Sequence, residues 1–343
     1  MLLPRYSPQL IPLDGYTRSA SAIMLAVERI GRENMLNDVN FTFVWKFEEC
    51  NEHTALGLAV QLILNDSINL LVGPPCNAPA IDVGILTAYY DIPNFLWGPT
   101  TASELGDLTR YPTVATVTPD SFSLGLAICA TMQQYNWTVF GVIYASANSG
   151  TGSCYYLQQD LESALSLFPS TLSLVYTRVL PINVSNFTSA LDELRLRVRI
   201  VVICLETDSQ KWQFMEEVKR KGMSTPEYVY IFPDSSNTGF GKKTVKQGLA
   251  ATTLMAHQMM QRAQIILKRS SMRLLLTWVF QAAQYAGSLY DTMYLYALAL
   301  NRSLAADPVN GWRSGAKLLD YAIGSFNGEF TSHIKDGIWK RVR

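Results

Sequence analysis

Short apolar runs alternate with amphipathic stretches along most of this chain. An Asp14-Gly15 turn opens the first helical pattern, with Ala20, Ile23, Met24, Val27 and Ile30 predicted on one face. A strand is then predicted over 41–49, a helix over 53–64 and a short buried strand over 68–73. A helix over 78–90 and a strand over 93–98 follow. The segment 110–121 breaks the rhythm: it is extended, carries Pro112 and Pro119, and reads as a connection between lobes. A second series then begins. Helices are predicted over 122–135, 154–168, 186–197 and 209–221, and strands over 137–145, 172–181, 200–206 and 227–234. Apolar strands alternating with amphipathic helices indicate parallel sheets covered on both faces. The fold class predicted is therefore α/β, with two doubly wound parallel-sheet lobes and a cleft between them.

The stretch 274–300 is the one that could mimic a membrane span. Gln281, Gln284, Ser288 and Asp291 form a polar stripe there, beside an apolar stripe of Val279, Ala282, Ala286, Leu289, Met293, Ala297 and Leu300. That pattern predicts an amphipathic or half-buried helix of a globular lobe. With 343 residues, the chain is long enough for two domains, and 48% apolar residues supply a core. Lys+Arg and Asp+Glu are both 28, so a nucleic-acid partner is not suggested.

The five cysteines include no CxxC pair, and the three histidines, His53, His257 and His333, are scattered. A zinc site needs about four ligands at short local spacings, so no metal and no cofactor is predicted. Cys50 and Cys76 fall at two strand ends. A metal, a redox pair and a disulfide are all readings of such a pair. Six Asn-x-Ser/Thr sequons, at Asn40, Asn65, Asn136, Asn183, Asn186 and Asn301, favour a secreted or extracellular chain and hence a disulfide. Both cysteines sit at carboxyl ends of strands in the first lobe, so a bridge would pin two loops at one rim. Cys154 and Cys204 occupy similar positions in the second lobe and are paired by the same reasoning. Cys129 shares a helix face with Phe122 and Leu126 and reads as a buried free thiol. No signal peptide is visible in "MLLPRYSPQLIP", so either the chain is cytosolic and the sequons are accidental, or its N-terminus is incomplete.

No catalytic set emerges. The acidic cluster Glu48, Glu49 and Glu52 reads as a solvated loop and helix start. "GFGKKT" at 239–244 lacks phosphate-loop spacing, and neither GxSxG nor GxGxxG occurs. Ligands of open parallel sheets bind beyond the carboxyl ends of the strands. The rim candidates are Trp97, Thr100, Thr101 and Ser103 in the first lobe, and Tyr144, Ser146 and Ser149 in the second. "TASE" at 101–104 predicts a capping box that could also present donors to an anion. Trp97 and Tyr144 are candidates for aromatic walls.

Several segments, in the right order, resemble the extracellular ligand-binding domain of nematode receptor-type guanylate cyclases, itself similar to that of natriuretic-peptide receptors. They are "GYTRSASAIMLAVERI", "FTFVWKFEECNE", "LLVGPPCNAPAIDVGILTAYYDIPNFLWGPTTASELGDLTRYPTVATVTP", "YNWTVFGVIYA", "EYVYIFPD" and "SLYDTMYLYALAL". The resemblance covers about 14–235 and 285–330. It implies a type I periplasmic-binding-protein fold with three crossings between lobes. Residues 1–118 would start lobe one, 119–236 would form lobe two, 237–310 would return to lobe one, and 311–343 would be an incomplete final crossover. It also implies an unidentified extracellular ligand, a homodimer, bridges matching Cys50–Cys76 and Cys154–Cys204, and a place outside the plasma membrane. Anchoring and cyclase activity would reside in segments beyond this chain. The alternative is an amino-acid receptor, another small-molecule binding protein or a soluble decoy on the same fold. The sequence departs from the pattern in three places. Only "LLP" remains of the first strand, which therefore appears missing; 257–278 does not read as family sequence; and the chloride site of natriuretic-peptide receptors would fall on Phe43, Pro75 and Cys76, which lack its hydroxyl and one of its N–H groups.

Overall fold

The structure, a computed structural model, describes residues 1–146, 152–233, 282–325 and 338–339. They form two compact units. One comprises residues 1–118 with the described residues after 281; the other comprises 119–146 and 152–233. Ser149, the stretch 239–244 and the segment 257–278 lie outside the described residues.

In the first unit, β1 (Leu2–Leu3) pairs in parallel with β2 (Lys46–Phe47). The first strand is therefore short rather than missing. Leu2 and Leu3 are fully buried on opposite sides. Leu2 joins the cluster of Ala55, Ala59, Leu62 and Leu71, and Leu3 joins that of Ile23, Ala26 and Trp97. A parallel sheet holds β3 (Leu71–Val72), β4 (Asn94–Leu96) and β5 (Val114–Thr116) in that order. Helix α1 (Ile11–Asp14) leads into α2 (Tyr16–Arg32); α3 (Glu52–Leu64) and α4 (Asn77–Tyr89) pack on each other. The predicted strand over 41–49 contracts to two residues. Its end is set by Glu49 and Cys50, both at positive φ (54° and 57°).

The buried stripe of α2 is Ser19, Ala22, Ile23, Ala26 and Ile30, so the predicted face is rotated and Met24 is 58% exposed. The helix predicted within 274–300, of which 274–281 lie outside the described residues, departs further from expectation. Among described residues, the next helix after the second unit is Ala286–Ala306, buried on every side from Leu289 to Ala297, with Asp291 and Thr292 inside. It packs against α2, β4 and a short helix at Gly315–Asp320. Such enclosure by neighbouring elements, rather than amphipathicity, accounts for its apolar composition. Among the described residues, no helix is long and apolar enough to cross a membrane.

The second unit carries α5 (Ser121–Gln134), β6 (Val139–Ser146), α6 (Ser153–Leu165), β7 (Ser173–Pro181), α7 (Thr188–Arg197), β8 (Ile200–Cys204), α8 (Asp208–Arg220) and β9 (Val229–Ile231). Its parallel sheet runs β7-β6-β8-β9. One face of the sheet packs on α7 and α8 through Ile143, Leu191, Phe187 and Phe214; the other packs on α5 and α6 through Phe140, Val142, Cys129 and Leu161. Cys129 is unbridged and buried, and burial raises its thiol pKa, as suits an inert core thiol.

Two features of α8 separate packing from capping. Phe214 is fully buried, with edge contacts to Phe187, Tyr230 and Phe232 at 5.4, 6.0 and 6.1 Å. Thr207 and Gln210 form a reciprocal capping box at the helix start. Phe214→Ala should cost about 3–5 kcal/mol of unit stability, against about 1 kcal/mol for Thr207→Ala. Urea unfolding of both variants, followed through this unit's transition, checks the ratio.

Candidate functional site

The carboxyl ends of the first unit's strands are tied together by side chains. Cys50 and Cys76 are bridged, with Cα atoms 5.6 Å apart. Cys76 precedes α4, and Asn77, the first residue of that helix, turns back to the loop after β4. Its Oδ1 accepts the N–H groups of Thr101 and Ala102 at 2.6 and 2.9 Å. The Thr100 hydroxyl lies 2.7 Å from the carbonyl of Pro75 and 2.8 Å from that of Trp97. The Thr118 hydroxyl donates to the Thr100 carbonyl at 3.0 Å. Gly98, at φ +77°, lets this loop approach closely: a Cβ there would lie 2.7 Å from that of Pro75.

These contacts redistribute the rim residues. Trp97 is fully buried in the core and forms no open aromatic wall. Thr100 is buried as well, with its hydroxyl committed to the backbone. The predicted capping box at 101–104 does not form. A single 3₁₀ turn covers Ser103–Gly106 without a side-chain cap, and Glu104 instead meets Arg110 at 3.1 Å. Thr101 and Ser103 stay partly exposed at the rim. Phe43 packs near Trp45, their ring centroids 6.2 Å apart.

Beneath this rim lies a group the sequence reading had placed in solvent. Glu48 is fully buried, as is Asp14 at the end of α1, and no carboxylate oxygen of either has a hydrogen-bonding partner. Burial raises the Asp14 pKa to about 7, with the charge of Glu49 adding to the shift. Burial likewise pushes Glu48 to about 8, with Asp14 and Glu49 adding to it. The amides of Cys50 and Asn51 lie close enough to oppose that shift, though not in hydrogen-bond geometry. Glu49 is partly exposed but engaged. It accepts the N–H groups of Arg5, Tyr6 and Ser7 at 2.7, 3.0 and 2.9 Å. An Asp14 carboxylate oxygen lies within 4.8 Å of the Sγ atoms of Cys50 and Cys76. Those sulfurs are joined to each other and offer no thiolate to a metal.

The second unit repeats the arrangement with different residues. Cys154 in the first turn of α6 bridges Cys204 at the end of β8, with Cα atoms 5.3 Å apart. Glu206, two residues further on, reaches the start of α6. Its carboxylate accepts the Ser153 hydroxyl at 2.9 Å and the Cys154 N–H at 3.2 Å. Burial raises the pKa of Glu206, and those two donors pull against the shift. Gly152, at φ +112°, leaves room for it: a Cβ there would meet the carboxylate at 2.8 Å. Tyr144 and Ser146 are both buried at the end of β6. Sequence reasoning missed Asn77 and Glu206. Their only signal was adjacency, one residue after Cys76 and two after Cys204.

The buried acids give a signed pH dependence. Both hold their protons more tightly folded than unfolded, where the values are 3.8 and 4.5. Their contribution is complete below about pH 4 and is lost as pH rises through about 7 and 8. Glu48→Gln should therefore leave stability near pH 4 unchanged and raise it above pH 8. Thermal midpoints from pH 4 to 9 check this; a constant difference at every pH would contradict it.

With the rims defined, the chain can be set against known proteins. Residues 18–332 match the receptor family ligand binding region. The chain is 30% identical to receptor-type guanylate cyclase gcy-14 of Caenorhabditis elegans and 28% identical to gcy-20 of the same organism, each over 92% of this chain. It is 28% identical to gcy-13, also from that organism, over 90% of this chain. It spans about a third of the length of these relatives: 32% of gcy-14 and gcy-20, and 33% of gcy-13. The parallel α/β units described above agree with this match, which takes in almost the whole chain. The chain belongs to the receptor family ligand binding region.

Proposed function

We propose that this chain is the ligand-binding region of a receptor-type guanylate cyclase. It lies outside the plasma membrane, senses an extracellular ligand as a homodimer, and carries no catalysis of its own. The observation that carries the reading is the family match over 18–332, together with relatives that are receptor-type guanylate cyclases. Two features support the compartment. Each unit has a disulfide at its strand ends. The acceptor asparagine of every sequon, Asn40, Asn65, Asn136, Asn183, Asn186 and Asn301, is exposed. In this reading residues 1–118 begin lobe one, 119–236 form lobe two, and the chain then returns to lobe one. Ligand binding would bias the dimer between two states. Thr101 and Ser103 are the rim side chains we assign to face the ligand in lobe one.

The amino-acid receptor reading fares worse for a specific reason. It requires free hydroxyl and backbone donors around 98–103 and 146–153 to hold a carboxylate. In the first unit the Thr100 hydroxyl goes to the carbonyls of Pro75 and Trp97, and the Thr101 and Ala102 N–H groups go to Asn77. In the second, among the described residues, Ser153 and the neighbouring Cys154 N–H donate to Glu206. Isothermal titration with the standard amino acids should accordingly give no binding heat. Micromolar binding of any one would restore that reading.

The receptor reading itself is tested with an antibody raised to this chain. It should stain intact, unpermeabilised cells, and its immunoprecipitate should convert GTP to cyclic GMP. Staining only after permeabilisation, with no cyclase activity in the precipitate, would overturn it.

A further inference from the structure

Among the described residues, the longer of the two terminal strands in the second unit's sheet is β7. Among the described residues, β7 lies at the end of the order β7-β6-β8-β9, so one side of its backbone has no partner strand. It is nine residues long, about 30 Å at 3.3 Å per residue. Val175 and Val179 are exposed along it, Val179 at 52%. Ile182 continues the row beyond its end. At the other end, Val139 and Tyr135 are exposed where β6 begins, and the Tyr135 ring stacks on Trp137 at 5.0 Å. The only charge in the strand, Arg178, is paired with Glu193 at 3.3 Å. A shift in register opposite Phe140 and Gly141 disturbs only the first rungs. A long apolar edge of this kind is a template for pairing with another chain.

The three sequons of this unit stand at the two ends of that edge. Asn136 is exposed in a left-handed turn (φ 56°), and Thr138 of its sequon accepts the Ser173 N–H at 2.8 Å, at the first rung of the β6–β7 ladder. Asn183 lies in the turn closed by Val184 N–H on the Pro181 carbonyl, immediately after β7. Asn186 follows, exposed, its Oδ1 accepting the Thr188 N–H. That bond engages the oxygen and not the nitrogen to which a sugar attaches.

We propose that N-linked glycans on Asn136, Asn183 and Asn186 cover the β7 edge and prevent sheet-to-sheet association between copies of this chain. The inference rests on the extracellular reading above. In each attachment, Asn Nδ2 forms a bond to the anomeric carbon of an oligosaccharide carried on a polyprenyl diphosphate. The C–O bond to the diphosphate breaks with its electron pair, and the diphosphate leaves as Nδ2 loses a proton. Branched, strongly hydrated sugars at both ends of a 30 Å strand oppose an incoming edge without contributing to the fold.

The test expresses the full chain behind a secretion leader in insect cells. Release of the glycans by an amidase in ¹⁸O-water marks occupied asparagines by mass. On separate folded protein, an endoglycosidase trims each glycan to a single sugar, and light scattering reads molar mass against concentration. The expected result is occupancy at all three sites and at least a twofold rise in molar mass on trimming. Val179→Lys, at an exposed position, should abolish that rise while keeping the wild-type melting temperature. Three results would overturn the proposal: unoccupied sites at 136, 183 and 186 in secreted protein; an unchanged mass after trimming; or association that Val179→Lys leaves intact. Because the leader enforces translocation, these outcomes read the edge alone. The native compartment is read separately by the antibody experiment.

Discussion

A parallel strand covered on both faces must send successive side chains into two different cores, and the first unit meets that demand with two residues. Leu2 enters one cluster and Leu3 the other, both fully buried. Complete burial of a leucine relative to its exposure is worth about 1.5–3 kcal/mol. Two such residues are therefore a large fraction of a typical domain stability of about 5–15 kcal/mol. Their position also constrains the neighbouring strand. Gly73, at the end of β3 and at φ +89°, would place a Cβ 2.3 Å from the Leu2 carbonyl oxygen. Only glycine fits there, and the chain turns directly into Pro74, Pro75 and Cys76. The rim of the unit is thus built outward from the close approach of β1 and β3.

Strand ends carry a second constraint: buried backbone N–H and C=O groups must find partners once the ladder stops. In both units the partners come from side chains close to the disulfides. Asn77 and Thr100 join two loops of the first rim, and Glu206 satisfies the start of α6 in the second. Each disulfide then links a position close to one of these polar groups to a second element, the chain just after β2 in the first unit and the first turn of α6 in the second. Among the described residues, this explains why Thr100, Asn77 and Ser153 are committed within the rims.

Much of the fold was legible because it depends on period. Alternating strands and helices, the break before Pro119 and the strand-end cysteines all follow from hydrophobic spacing and turn residues. Three kinds of feature were not legible. Strand length was overread at 41–49, because Phe41, Phe43 and Trp45 pack partly against the core without pairing in a sheet. Helix facing was misjudged for Met24 and for Ala286–Ala306, because the extent of cover on a helix is set by its neighbours and not by its own sequence. Rim chemistry was hidden because its bonds join residues 24 to 53 positions apart, as in Asn77 with Thr101 and Ser153 with Glu206. Trp97 illustrates the cost of reading a strand end as a surface: it is the largest fully buried side chain of the described residues.

The carboxylates complete the polar bonding of these rims. Glu49 gathers three consecutive amides of residues 5–7, and Glu206 occupies the start of α6, where an external anion would otherwise find donors. Asp14 and Glu48 add two more acids beneath the first rim, favoured in their neutral form by burial. An anionic ligand approaching the donors held by Glu49 and Glu206 would have to displace a covalently tethered carboxylate at high local concentration. The internal carboxylates therefore fill, from within the chain, donor positions that a small external anion would otherwise use.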